Sequence, residues 1–590
     1  MSQKTIKYIF VSSLVLLFLA SGYLQVWLAR HETQTIDEGV HISAGYSYIT
    51  TGDFRLNPEH PPLAKQLAAL PLLFVKPTLP TNTTAWAEAE QWQFAHDFLY
   101  ESGNNPQQIL FLGRIPMIIL ALILGLCIAR WTYELAGKIP SLVSSVLYVS
   151  SPLFLTHGHL IATDVPVTLG VTAAAYFFVK SLRSKSWKWV LLTAVATAFA
   201  SDVKFTGLIL FGLIPVLYAL VYLFAGKRLP HLSSKHFLVL FGSMIVATFL
   251  LASLTTGFQV NVSSHDPFLG MHHIEQAKEF IIEFPSAFRW FPRFYLWVLE
   301  HVHFVAYPYA SGLFEFITHF EVGHESYFLG NYDDMGNIWY FPVAFLIKTR
   351  LAVLVLLSLI LTLFVKRTYW AWKFKLYTFS FKKKLRQWAE GWNPELFILV
   401  GLPALFFVSA LQSKVNIGVR HILIVYPFLY ILVSLLWSVR IHRQRIFRWL
   451  ITAVLAVALI STAAVWPFPM TYFSEAVGGA SQGHKYIMNS NLDWGQNLFY
   501  LRDYLHNHDV DTICFGYFGQ GQLSDLGIHI RPLYSNRDVT NFGTPDCVVV
   551  VSVQVLYNKE QNFTWLQKLT PNAVIGDSFY IYDLRNQVTN

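Results

Sequence analysis

Two carboxylates stand side by side at Asp37 and Glu38, just beyond an apolar run from Ile9 to Ala29. Glu59-His60-Pro61-Pro62 follows, shortly before a second apolar stretch. A carboxylate fixed beside a bilayer is costly unless it serves something, and such a pair suits a general base or an acceptor-orienting pair. Other ionisable residues fall at corresponding ends of apolar runs. Arg114 opens one run, Asp164 opens another, Asp202 and Lys204 close a third, and Arg420 and His421 open a fourth. Lys348 and Arg350 lie deeper inside a further run. A charge facing lipid costs roughly 2.5–3.5 kcal/mol even on a mild insertion scale, so several at one level indicate a shared polar cavity. The acids suit proton abstraction. The cations Arg114, Lys204, Lys348 and Arg420 suit a phosphate group, as ligand or leaving group. Glu59, His60, Asp164 and His421 complete the expected lining. Together these residues point to transfer of a group from a lipid phosphate carrier.

Plainer roles exist for individual members. Arg114 or Lys204 alone can snorkel to headgroups, Asp164 can cap a helix, and His60 can cap the loop helix. Seven histidines in 258–340, including His272-His273 and His301-x-His303, lack the spacing of a metal cluster. Neither metal nor cofactor is expected. Asp493-Trp494-Gly495-Gln496 reads as a surface turn suited to recognition or as a helix start.

The elements that position these residues are membrane helices. Charged residues make up only 13% of the 590, against about 25% in a soluble domain. Runs near 9–29, 109–129, 139–156, 162–180, 188–206, 207–224, 237–257, 341–365, 395–411, 421–439 and 449–466 each have about the length that spans a bilayer. The expected fold is therefore a polytopic α-helical membrane protein of about eleven spans. With the N-terminus inside, the inner segments hold 23 of the 43 Lys and Arg residues and two of the 35 acids. That positive-inside bias sets the orientation. The basic pI then belongs to inner loops such as Lys382-Lys383-Lys384, which meet anionic lipid headgroups rather than nucleic acid.

The expected organisation is a membrane domain over 1–466 with two large outer loops, 30–108 and 258–340, and an outer soluble α/β domain over 467–590. The aromatic stretch at 280–310 suits the headgroup level. In the tail, Asp511–Phe518, Cys547–Val553 and Phe579–Leu584 read as strands and Gln496–His506 as an amphipathic helix. Cys514 and Cys547 both fall there, either bridged or as two core thiols.

Asp37-Glu38, then His41, Gly45 and Tyr48, then Asn57-Pro-Glu-His-Pro-Pro-Leu63 resemble the first-loop pattern of the protein O-mannosyltransferase family. That wider group includes the aminoarabinose transferase of lipid A. Arg114 and Ala162-Thr163-Asp164-Val165-Pro166 fit its later motifs. Tyr340–Lys348, Gly418-Val-Arg-His421 and Ser490-Asn-Leu-Asp-Trp-Gly-Gln496 are similar to bacterial lipid-carrier-dependent members. Lys348-Thr349-Arg350 and Tyr472-Phe-Ser-Glu475 depart from the expected Lys-Thr-Pro and Tyr-Phe-Asn-Glu.

The resemblance implies a GT-C fold and an inverting glycosyltransferase, mannosyltransferase-like. Such an enzyme moves a sugar from a polyprenyl-phosphate donor to a hydroxyl of a protein or glycolipid acceptor. By the same resemblance Asp37 is the catalytic base and Glu38 orients it or the sugar. Arg114, Lys204, Arg420 and Lys348 neutralise the departing phosphate, and Asp164 contacts the sugar. The implied location is a bacterial cytoplasmic (inner) membrane, with the active site and tail on the outer, periplasmic side. The alternative from another class is a transporter for an anionic or lipid-linked substrate. It fits less well, because the charges crowd one leaflet and no repeated halves are found.

Overall fold

The computed structural model describes residues 2–225, 229, 232–260, 290–302, 304–375, 393–440, 443–522 and 527–585. Among these, six helices are long and apolar enough to cross a membrane: Gln3–His31, Pro106–Ala136, Asp164–Arg183, Phe205–Phe224, Ser234–Thr255 and Gln444–Ala464. The protein is an integral membrane protein. A seventh span is counted if Tyr340–Lys348 and Leu351–Lys366, which meet at 110°, are taken as one bent unit.

The expected eleven spans are not reached on length and composition. Lys138–Val149, Pro394–Ala410 and Val425–Ser438 are apolar but shorter, and Trp187–Val203 has 17 residues. Local chemistry accounts for one of these short segments. The run at 139–156 stops at Ser150, and Ser151 is extended ahead of Pro152, where a separate short helix begins. A residue preceding proline is pushed out of the helical region.

Close backbone packing sets the frame. Asp164–Arg183 and Trp187–Val203 form an antiparallel pair joined by a short turn. At their crossing a side chain on Gly170 would lie 2.7 Å from the Ala200 methyl. Small residues are what allow membrane helices to approach so closely. The antiparallel arrangement brings Asp164, first in one helix, and Lys204, just past the end of the other, to the same end of the pair.

Segment 30–108 folds into short helices rather than open loop. Ile36–Thr51 packs on Pro62–Ala69 so tightly that a Cβ on Gly45 would lie 2.1 Å from the Lys65 carbonyl oxygen. Only glycine fits there. In 258–340, helices Trp290–His301 and Tyr307–Val322 precede the hairpin β1 (Ser326–Phe328) and β2 (Asn331–Asp333). His272, His273, His303, Phe284, Phe288 and Lys382–Lys384 lie outside the described residues.

The tail carries a five-stranded mixed sheet. Its strands are β3 (Thr512–Gly516), β4 (His529–Pro532), β5 (Val548–Ser552), β6 (Ala573–Ile575) and β7 (Phe579–Asp583), in the order β4-β3-β5-β7-β6. β3 runs parallel to β4 and β5, whereas β7 is antiparallel to both its neighbours. Central β5 is buried throughout: Val548 and Val550 enter one core and Val549 and Val551 the other. That explains its unbroken valine run, since a strand covered on both faces has no polar side. Cys514 and Cys547 are joined by a disulfide with Cα atoms 6.1 Å apart.

Candidate active site

Helix Ile36–Thr51 begins with a capping box, in which the Thr35 amide donates to Glu38 Oε2 at 3.0 Å. Consecutive helical residues point about 100° apart, so Asp37 and Glu38 cannot face the same surroundings. Asp37 lines a cavity of about 1020 Å³, and its side chain stays 22% exposed. Glu38 turns inward to Arg114 and is fully buried.

The cavity gathers residues from distant segments. Asp37, His41, Glu59 and His60 come from the first outer segment, and Asp164, Lys204, Arg420 and His421 from the ends of membrane helices. Arg420 Nη1 donates to Asp37 Oδ2 at 2.9 Å and lies 3.5 Å from Asp164 Oδ2. Lys204 Nζ donates to Asp164 Oδ1 at 2.6 Å. Two carboxylates and two cations thus alternate along one wall. The arrangement is charge-balanced, and both cations border the open space. His421 Nε2 and Arg420 Nε are buried without a hydrogen-bond partner among the described residues.

Two expected phosphate contacts stand elsewhere. Arg114 does not line the cavity. Its Nε and Nη2 form a fork with Glu38 at 2.8 and 2.6 Å, and its remaining N–H groups donate to the Ala29, Glu32 and Thr33 carbonyls. All five donors are used, leaving none for a ligand. Glu38 also accepts from the Ile161 amide at 3.0 Å. Burial favours its neutral acid, but the Arg114 charge outweighs this and holds the carboxyl below its usual value.

Lys348 is likewise away from the cavity. It donates to the Met470 and Asn491 carbonyls at 2.9 and 2.7 Å and sits 4.2 Å over the Phe473 ring. Arg350 donates to the Leu147, Ser150 and Ala458 carbonyls. The chain breaks between these two cations, where Thr349 is extended. They therefore serve backbone oxygens that broken helices leave free inside a protein.

The first-loop motif is organised by a residue with no place in the sequence expectation. Lys65 is buried, and its Nζ donates to the Tyr48 hydroxyl, the Asn57 carbonyl and the His60 carbonyl at 2.8, 2.6 and 2.7 Å. Burial pushes its ammonium down to about 7, with Glu59 opposing. Asn57 adopts a left-handed φ of 51° and donates to Glu59 Oε1 at 2.8 Å. Glu59 and His60 are thereby presented to the cavity from a tight loop. Burial, then His41 and Lys204, hold the His60 imidazole well below its usual value, so it is neutral. His41 donates from Nδ1 to the Ile161 carbonyl at 2.8 Å.

The segment Asp493-Trp494-Gly495-Gln496 is buried, not a surface turn. The Thr33 and Ile36 amides donate to the Gln496 and Trp494 carbonyls at 2.9 and 3.1 Å, bracing the turn that ends at Asp37. The Trp494 ring lies 4.1 Å beneath the Arg420 guanidinium, within cation–π range. The sequence reading passes over Lys65 and places Trp494 in a surface turn or helix start, and one physical reason covers both. A lysine on a short helix and a tryptophan in a loop reveal their burial only through partners far away in the chain.

The site can do specific chemistry. A carboxylate at the cavity wall can accept a proton from a bound hydroxyl, while Lys204 and Arg420 can neutralise an anionic group beside it. No group of His, Cys, Asp and Glu suited to a metal ion occurs among the described residues.

Three solved structures are similar to this chain over part or nearly all of its length. ArnT from Cupriavidus metallidurans bound to undecaprenyl phosphate matches at 12% identity and a TM-score of 0.43, over 98% of each chain. The archaeal oligosaccharyltransferase AglB from Archaeoglobus fulgidus matches at 11% identity and 0.42, over 99% of this chain and 75% of that one. The S. cerevisiae Pmt1-Pmt2 complex matches at 17% identity and 0.32, over 42% of this chain and 33% of that one. No curated protein matches the sequence. Residues 107–253, which supply Arg114, Asp164 and Lys204, match the sequence-family model of dolichyl-phosphate-mannose-protein mannosyltransferases.

Proposed function

We propose that this protein is an inverting glycosyltransferase that moves a sugar from a polyprenyl-phosphate carrier to a hydroxyl acceptor. The observation that carries this reading is the placement of the Asp37 carboxylate in one cavity with Lys204 and Arg420. The acceptor oxygen attacks the anomeric carbon and its proton passes to Asp37. The bond from that carbon to the phosphate oxygen breaks, and the electron pair leaves with the lipid phosphate. Lys204 and Arg420 stabilise the departing charge. Asp164, held between those cations, orients them and the sugar, while Glu59, His60 and His421 border the substrate. Arg114 with Glu38, and Lys348, act as framework instead of ligands, because Arg114 spends its donors on the protein and Lys348 is turned to two backbone carbonyls away from the cavity.

The reading includes a GT-C membrane domain over 1–466 and a soluble domain over 467–590, both serving an active site on the outer face of a bacterial inner membrane. The disulfide suits an oxidising compartment. Mannose is the sugar suggested by the matching family, and protein or glycolipid are the acceptor classes. The test uses the full chain in lipid nanodiscs with undecaprenyl-phosphate sugars carrying a radiolabel. Asp37→Asn should cut sugar release by about 10²–10⁴-fold while leaving folding intact. Turnover by that variant at the unsubstituted rate would remove Asp37 as base. Mass spectrometry of glycans and lipids from a deletion strain then identifies the sugar and its acceptor.

A further inference from the structure

The cavity is larger than a sugar phosphate needs, and its far wall belongs to the soluble tail. At about 1020 Å³ it stands at the top of the range for small-molecule sites. Beyond Asp37 the lining passes to Asn489, Phe518, Gln520, Gln554 and Asn558, with Trp92 from the first outer segment facing the same space.

The polar groups of this wall are neutral amides, and several atoms are open. Gln554 Nε2 donates to the Asp493 carbonyl at 2.7 Å, which fixes the side chain while its Oε1 has no partner among the described residues. Asn489 and Asn558 use their Oδ1 atoms to accept from the Ser490 and Asn562 amides, leaving both Nδ2 groups without a partner among the described residues. Gln520 makes no side-chain hydrogen bond within them. Amides anchored at one end and open at the other offer donors and acceptors at fixed positions. Trp92 is 43% exposed and provides a flat apolar face beside them.

The described cations at this end are paired with acids. Lys559, a cation bordering it, pairs with Glu325 and Asp334 at 3.4 and 3.2 Å. Lys204 and Arg420 are directed at Asp164 and Asp37. A phosphorylated or carboxylated acceptor would therefore find no uncommitted Lys or Arg among the described residues of the amide wall. A neutral polyol would find amides for its hydroxyls and an indole for its C–H face.

Building on the proposed transfer reaction, we infer that the amide wall formed by Asn489, Gln520, Gln554 and Asn558 is an acceptor subsite for a neutral saccharide. The acceptor hydroxyl belongs to a sugar ring held between this wall and Asp37. The same ring chemistry is present in a free glycan and in a glycolipid headgroup.

Binding tests this without a donor, so its failure and failure of the transferase reading are separable. Full chain in nanodiscs is titrated with neutral disaccharides, with glycolipids bearing the same disaccharides, with their phosphorylated counterparts and with a Ser/Thr-rich peptide. Saturation-transfer NMR reads the contact. Neutral saccharides should bind. Gln520→Leu with Gln554→Leu should weaken them roughly five- to tenfold per lost hydrogen bond. Gln520→Glu, which keeps size and adds charge, is the second variant if the double one does not fold. Tighter binding of the glycolipid than of the free disaccharide assigns the source to lipid-linked sugar; equal binding assigns it to free glycan. Preference for the peptide or the phosphorylated sugar, no saccharide binding at all, or binding indifferent to these substitutions overturns the assignment.

Discussion

Replacing Arg114 by methionine separates two roles that the residue type alone allows. If Arg114 held a donor phosphate, its loss would raise the donor KM with little effect on folding. The structure predicts the opposite. Arg114 and Glu38 are each about 1% exposed and joined by a two-bond fork. Removing the guanidinium leaves the Glu38 charge buried without its partner, which typically costs about 3–5 kcal/mol. The Ala29, Glu32 and Thr33 carbonyls lose their donors as well. Asp37 is the next residue to Glu38, and a misplacement of ~1 Å at a reacting group costs about 10² in rate. Arg114→Met should therefore lower unfolding stability in detergent and lower kcat by about that factor, with donor KM nearly unchanged. Adding Glu38→Gln removes the stranded charge and should recover about 1–3 kcal/mol of the lost stability. Chemical unfolding and steady-state kinetics on the two single variants and the double variant provide the readout. An Arg114→Met protein of normal stability with a raised donor KM would refute the framework role.

Three further outcomes are expected. Lys204→Met should raise donor KM roughly ten- to a hundredfold, the scale of one charge-assisted hydrogen bond; an unchanged KM removes Lys204 from the phosphate. Trp494→Leu should lower kcat roughly three- to thirtyfold through a loosened Arg420, given a cation–π contact of about 0.5–2 kcal/mol. Trp494→Phe should restore most of it, and equal losses in both variants would exclude the ring contact as the cause. Burial raises the Asp493 carboxyl from 3.8 to about 7. The folded state then keeps a proton that the unfolded chain releases, so this contribution to stability is present below 3.8 and is lost as pH rises to about 7. Asp493→Asn should flatten that part of the stability curve, measured by thermal unfolding across the interval; a variant with the same slope would show that Asp493 does not titrate there.

Much of the candidate site is legible without coordinates because a membrane makes ionisable residues conspicuous. Asp37, Glu59, His60, Asp164, Lys204, Arg420 and His421 stand out at the ends of apolar runs, and they share one cavity wall. The strands of the tail are equally readable, since Val548–Ser552 is an unbroken β-branched run ending in serine. Helix number is less so. Hydropathy marks where apolar segments lie but not where Ser150 ends a helix early or where the chain turns through 110° at Thr349.

The sequence by itself determined that carboxylates and cations must be sheltered together in a membrane protein, because lipid tolerates neither alone. Only the tertiary structure decided which pairs are closed and which face open space. Arg114 and Arg420 are the same residue type beside the same acidic pair. One spends every donor on Glu38 and backbone oxygens, while the other spans Asp37 and the cavity over the Trp494 ring. Helical geometry separates Asp37 from Glu38 by about 100°, and partners up to 383 residues away in the chain then assign each its role.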